Sequence, residues 1–209
     1  MAAGSPVKIR IVGIGDSTTA GTPGFLSPVE APPEGEGDER SQYAYWMAKD
    51  HADWEVLNRG VNGERSDQIL ARFGRDAASV RPDFIVILAG VNDVFQGLPP
   101  PFTRGNLSKM YAMALDARAT PVACSILPYN IMGHREARTL DELNAWISEE
   151  SSRLSVPFCD TNGAVADPRN PERLAGTPDG LHPDVDGYRK MALAISRAIE
   201  DRQASRLQR

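Results

Sequence analysis

Hydrophobic positions along this chain fall into short continuous runs separated by stretches of helical period. "KIRIVGIG" (8–15) opens the series as a buried strand. "SQYAYWMAKDHA" (41–52) predicts a helix with Ser41 as its N-cap, and "WEVLN" (54–58) a short strand. In "RSDQILARFGRDAAS" (65–79), Ile69, Phe73 and Ala77 share one helical face. "DFIVILAG" (83–90) is apolar without alternation, the pattern of a parallel strand covered on both faces. "NLSKMYAMALDARA" (106–119) predicts a helix turning Leu107, Met110, Tyr111, Ala114 and Leu115 inward, and "TPVACSIL" (120–127) the next strand. "TLDELNAWISEESSRL" (139–154) predicts a helix opened by a capping box of Thr139 and Glu142. After the short strand "VPFCD" (156–160), "DGYRKMALAISRAIEDR" (186–202) spaces Tyr188, Met191, Ile195 and Ile199 for burial on a last helix.

Strand and helix thus alternate along the whole chain. That order predicts one domain over residues 1–209, a three-layer α/β/α sandwich around a parallel five-stranded sheet, wound as in flavodoxin. Sites in such sheets form at the carboxyl ends of the strands. The loops there are "GDSTTAG", "NRGVNGE", "GVNDVFQG", "PYNIMGH" and a long one ending in "DGLHPD". The segment "TPGFLSPVEAPPEGEGDERS" (22–41), rich in Pro, Gly and acid, predicts a solvated surface insertion beside the same edge, with a mobile lid as its other use.

Composition narrows the function classes. The chain has 209 residues, 41% hydrophobic and 24% charged, enough for a sizeable core. A net charge of −5 argues against a nucleic-acid partner or an anionic membrane surface. No run of 18 apolar residues predicts a membrane span. The start, "MAAGSPVKIR", has no signal-peptide pattern, so a cytoplasmic location is expected. Cys124 and Cys159 lie in strand-like apolar runs and are expected as buried free thiols, too few for a structural zinc site. Oligomeric state stays open.

Ester hydrolysis needs a nucleophile, a base, a group that orients the base, and donors for the developing oxyanion. Ser17, in a strand-to-helix turn, is either a helix cap or a nucleophile. Of three histidines, His51 ends a charged helical segment and His134 has no partner motif around it. His182 follows Asp179 by three residues, a spacing that lets the carboxylate reach Nδ1–H and fix the tautomer. Asn92, after the most apolar strand, is a turn residue or an amide donor into the crevice. Gly63 is an ordinary turn glycine or an exposed N–H that no side chain obstructs. Each signal is weak alone, but all four fall at one edge of one sheet and supply different parts.

With "GDSTTAG" (15–21), "NRGVNGERS" (58–66), "GVND" (90–93) and "DGLHP" (179–183) in that order, the chain resembles the SGNH hydrolase superfamily, the GDSL esterases and lipases. The resemblance implies Ser17 as nucleophile, His182 as base and Asp179 as its partner. It also implies an oxyanion hole of Ser17, Gly63 and Asn92, a flavodoxin-like fold, and no cofactor or metal. Thr18 stands where the family nickname has Leu. Asp16 is read as holding the turn, outside the triad. The expected substrate is a small ester, with Phe95, Leu98, Phe102, Tyr129, Ile131 and Met132 as candidate pocket lining. The alternatives are a carbohydrate O-acetylesterase and a non-catalytic small-molecule or phosphate-binding α/β domain. The chain has no G-x-x-x-x-G-K-[ST] loop, and "GIGDST" lacks the third glycine of a dinucleotide fingerprint.

Overall fold

The structure, a computed structural model, describes residues 9–207. Lys8, predicted to start the first strand, and most of the N-terminal stretch read for a leader lie outside the described residues. In chain order the elements are β1 (Ile9–Gly15), α1 (Ser17–Ala20), β2 (Phe25–Leu26), β3 (Glu36–Gly37), α2 (Tyr43–Asp50), β4 (Trp54–Gly60), α3 (Ser66–Asp76) and β5 (Phe84–Leu88). There follow α4 (Val91–Phe95), α5 (Pro100–Asp116), β6 (Thr120–Cys124), α6 (His134–Leu154), β7 (Phe158–Cys159), α7 (Thr161–Val165), β8 (Ala166–Asp167), β9 (Asn170–Leu174) and α8 (Val185–Leu207).

The main sheet has five strands in the order β4-β1-β5-β6-β7, all parallel. Side chains alternate between its faces. Ile11, Val86 and Val122 pack under Tyr43 and Met47 of α2 and Tyr188, Met191, Ile195 and Ile199 of α8. Val12, Ile14, Ile85 and Ile87 pack under α3, α5 and α6 through Phe73, Leu107, Tyr111, Leu140 and Ile147. Both faces are therefore sealed, as the unalternated apolar runs require. Each such side chain contributes roughly 1.5–3 kcal/mol by leaving water. The register brings the carboxyl ends level: Gly15 pairs with Gly60 and Leu88, and Cys124 with Cys159. The two cysteines are buried and free.

Several boundaries depart from the sequence pattern, each for a local reason. Ser41 does not cap α2. It closes a 3₁₀ turn, Glu39–Ser41, that Asp38 caps, and Gln42 stands at the α2 N-cap without bonding the helix through its side chain. β4 runs on to Gly60 because Asn58, polar and buried, finds inside partners in the Ala20 carbonyl at 3.0 Å and Gln42 Oε1 at 2.6 Å. α5 begins at Pro100 rather than Asn106, since proline in the first helical turn gives up no intrahelical bond. α6 begins at His134. Thr139 sits inside it, its hydroxyl donating to the Arg135 carbonyl at 3.1 Å, and Glu142 bonds Arg104 instead of closing a capping box. The predicted strands at 83–90 and 120–127 pair only over Phe84–Leu88 and Thr120–Cys124.

The insertion at 22–41 carries the β2–β3 pair and is fastened to the sheet edge. Phe25 and Ser27 are buried, the Ser27 hydroxyl donates to the Gly60 carbonyl at 2.6 Å, and Asn62 N–H donates to Glu30 at 2.8 Å. Its acidic residues Glu34, Glu36 and Glu39 face solvent.

Candidate active site

β1 delivers Ser17 directly. The strand ends at Gly15, and Asp16 caps α1 by accepting Thr18 N–H at 3.0 Å. Ser17 is the first helical residue, where a backbone N–H has no intrahelical partner. The helix packs closely on the end of β4: a Cβ on Gly60 would stand 2.1 Å from the Ala20 nitrogen, so only glycine fits. Asp16 is buried, and this lifts its carboxyl from 3.8 to about 7. The bond from Thr18 N–H opposes the rise, and the charges of Asp93 and Glu64 add to it.

The turn before α8 presents His182. Asp179 Oδ1 accepts the N–H groups of Leu181 and His182, each at 2.9 Å, and Oδ2 meets His182 Nδ1 at 2.7 Å. Burial alone would raise the Asp179 carboxyl. The His182 ring and the two backbone donors outweigh it and hold the group below its ordinary value. An ionised carboxylate only accepts, so the proton of the neutral imidazole sits on Nδ1 and Nε2 is left as an acceptor. His182 Nε2 lies 2.8 Å from Ser17 Oγ, which then donates to it.

Asn92 and Gly63 come from the two neighbouring loops. The predicted turn "GVND" is the start of α4, so Asn92 stands on a helix and lines the crevice. One N–H of its amide donates to the Glu64 carbonyl at 2.9 Å, leaving the other for a ligand. Its neighbour Asp93 is fully buried and accepts Ser66 N–H at 2.9 Å, Ser66 Oγ at 2.5 Å and Thr103 Oγ1 at 3.0 Å. Asn106 adds a bond to Ser66 Oγ at 2.9 Å. Gly63 has a φ of +76° and open space where a side chain would stand. Its neighbour Asn62 lines the cavity.

Arg72, from α3, ties the same loops from beneath. Its guanidinium donates to the carbonyls of Gly15 at 3.0 Å and Arg59 at 2.8 Å, to Glu64 at 2.6 Å and to Asp76 at 3.3 Å.

Ser17, Thr18, Asn62, Val91, Asn92, Phe95, Tyr129, Leu181 and His182 enclose a cavity of about 140 Å³. Of the six predicted lining residues, Phe95 and Tyr129 belong to it. Leu98 lines a separate cavity of about 350 Å³ that lacks Ser17, and Met132 lines another with His134. Ile131 is exposed beside Gly180. Phe102 lies on α5, not in a loop, because the helix starts earlier than its pattern suggests. Thr18, Asn62, Val91 and Leu181 are lining residues that the sequence pattern does not mark as such, although each adjoins a candidate site residue. His51 stacks on Trp54 at 3.8 Å, near Glu200. Burial pushes the Tyr129 phenol up to about 12, with Glu136 adding to it, and its buried hydroxyl has no hydrogen-bond partner. Among the described residues no cluster of His, Cys, Asp and Glu is arranged to hold a metal ion, and no helix is long and apolar enough to cross a membrane.

The profile of the GDSL-like lipase/acylhydrolase family matches residues 14–190. The chain is 28% identical to the acetylxylan esterase of Geobacillus stearothermophilus over 69% of this chain and 71% of that one. It is 26% identical to the arylesterase of Vibrio mimicus over 95% and 92%. Its fold superposes on a GDSL-like lipase from Bacteroides thetaiotaomicron VPI-5482 with a TM-score of 0.74 at 25% identity, covering 96% of this chain and 92% of the other. The protein is a carboxylic ester hydrolase. Within that class, the chain belongs to the GDSL-like lipase/acylhydrolase family.

Proposed function

We propose that the protein hydrolyses short-chain carboxylic esters through an acyl-enzyme on Ser17, with residues 1–209 acting as one catalytic domain. The observation that carries this reading is the continuous row Asp179–His182–Ser17, with steps of 2.7 and 2.8 Å, ending in a small cavity. His182 Nε2 takes the Ser17 proton as Oγ bonds to the carbonyl carbon. Asp179 stabilises the imidazolium. The Ser17 and Gly63 N–H groups and the Asn92 amide hold the oxyanion. The carbon–alkoxy bond then breaks and the alcohol leaves with the proton from Nε2. Water repeats the sequence on the acyl-enzyme. No cofactor takes part.

The cavity favours a small acyl group. At about 140 Å³ it matches the space of roughly four to five water molecules. Acetyl to hexanoyl esters are the expected range. A second reading, a carbohydrate O-acetylesterase, is supported by the acetylxylan esterase relative and by the polar cavity beside the site, whose lining includes Gln96, Arg135, Glu136 and Thr139.

Ser17→Ala tests the mechanism. It is expected to fold normally, to lose turnover of p-nitrophenyl acetate and butyrate, and to lose labelling by a fluorophosphonate. Labelling that persists at another serine removes Ser17 from the role. A kcat/KM that climbs steadily to palmitoyl esters contradicts the short-chain reading.

A further inference from the structure

Phe95 is the common wall of two cavities. It lines the 140 Å³ cavity at Ser17 and also the 350 Å³ cavity bounded by Val94, Leu98, Pro99, Arg135 and Glu136. It is the last residue of α4, and 55% of it is exposed, so core packing does not demand an aromatic there. Val94, beside it, is buried in the core, and Val91 of the same helix packs against that core. The Phe95 ring meets Tyr129 edge-on, with centroids 5.9 Å apart and planes at 64°. Tyr129 is 3% exposed and therefore held fast. The contact thus seats a mostly exposed ring against a fixed one, at a residue that the Ser17 cavity and the larger space share.

We propose that Phe95 sets the acyl-length limit of this enzyme by closing the Ser17 cavity off from the larger one. The inference rests on the ester-hydrolase reading above. Without the ring the two spaces join, and an acyl chain passing that point meets the Leu98, Pro99 and Pro100 side of a lining whose other side is Gln96, Arg135, Glu136 and Thr139. Each methylene moved out of water against the apolar side raises kcat/KM by up to about fourfold. The extra length is wasted in the native enzyme because the ring blocks it.

The test is the ratio of kcat/KM for p-nitrophenyl octanoate to that for the acetate, in the wild type and in Phe95→Leu, Phe95→Ala and Phe95→Trp. The ratio is expected to rise through Leu to Ala, by about tenfold or more at Ala, and to fall for Trp. Thermal melting identifies any variant that fails to fold, and the remaining members still give the trend. A ratio that does not follow side-chain size overturns the role of Phe95. If instead the wild type turns over no ester and takes no fluorophosphonate, the ester-hydrolase mechanism itself has failed, and the two failures are separate.

Discussion

Replacing Asp16 by Asn should make the protein's stability less dependent on pH. Asp16 is 1% exposed, and its carboxyl titrates at about 7 instead of 3.8 because charging it there means desolvating it next to Asp93 and Glu64. The folded state therefore holds this proton over a range in which the unfolded chain has released it. Stability from this group is fully present below pH 3.8, declines as pH rises, and is gone above about 7. At about 1.4 kcal/mol per factor of ten, the whole rise amounts to ~4 kcal/mol. Asparagine has the same shape, keeps an oxygen for Thr18 N–H and is a good N-cap, but does not titrate. Any fixed cost of its buried NH₂ shifts the curve by a constant.

Urea unfolding followed by tryptophan fluorescence, for both proteins from pH 4.5 to 8, isolates the effect. Carboxylates that do not interact with Asp16 cancel in the difference. Wild type should lose ~3 kcal/mol of the full amount relative to Asp16→Asn between pH 4.5 and pH 8, most of it below pH 7. In thermal melts that is a relative shift of about 10 °C for a chain of this size. Curves that stay parallel across the range would refute the argument, and would mean that Asp16 is ionised in the folded state at little cost.

Two further substitutions probe how the site is held. Asn92→Ala should lower kcat by about 10² to 10³-fold with KM little changed, because in the proposed mechanism its amide donates to a charge that exists only near the transition state; a variant that melts early yet turns over normally would make Asn92 a link to Glu64 and nothing more. Arg72→Met should cost ~3 kcal/mol in urea unfolding by stranding Glu64 without its buried counter-charge, Asp76 keeping its pair with Arg75, and Arg72→Lys should restore only part of it, since one ammonium cannot span four acceptors in two strands, a loop and a helix; full recovery with lysine would show that charge alone matters.

The architecture was legible because β1, β5 and β6 are apolar on both faces, and few arrangements other than a covered parallel sheet accommodate such runs. Element ends were less legible, for reasons that lie outside each local window. Asn58 and Arg59 break the apolar pattern of β4, yet the strand continues because Gln42, Ala20 and Arg72 satisfy them from other elements. α4 is five residues long, too short for a period to show. The prolines at 100 and 101 look like a break but sit where a helix tolerates them. Thr139 and Glu142 satisfy a capping pattern in sequence, and their hydrogen bonds go elsewhere.

The proposed reacting groups could be read from the chain because each occupies a local motif: Ser17 in a strand-to-helix turn, and Asp179 and His182 within one turn. The groups that hold them could not. Asp93 reaches Ser66 across 27 positions and Asn106 reaches Ser66 across 40. Arg72 reaches Gly15 across 57. Nothing in the sequence near Arg72 distinguishes it from Arg75, the exposed arginine of the same helix; only burial does. The division has a physical cause. A parallel sheet in register brings every strand's carboxyl end to one edge, so side chains 165 positions apart, such as Ser17 and His182, meet without any local signal of their meeting. Once gathered, their backbone ends carry polar groups that water no longer reaches, and each must be bonded by something. The Arg72 guanidinium and the Asp93 carboxylate meet that requirement, at positions where a sequence reader expects only a charged helix face and a turn.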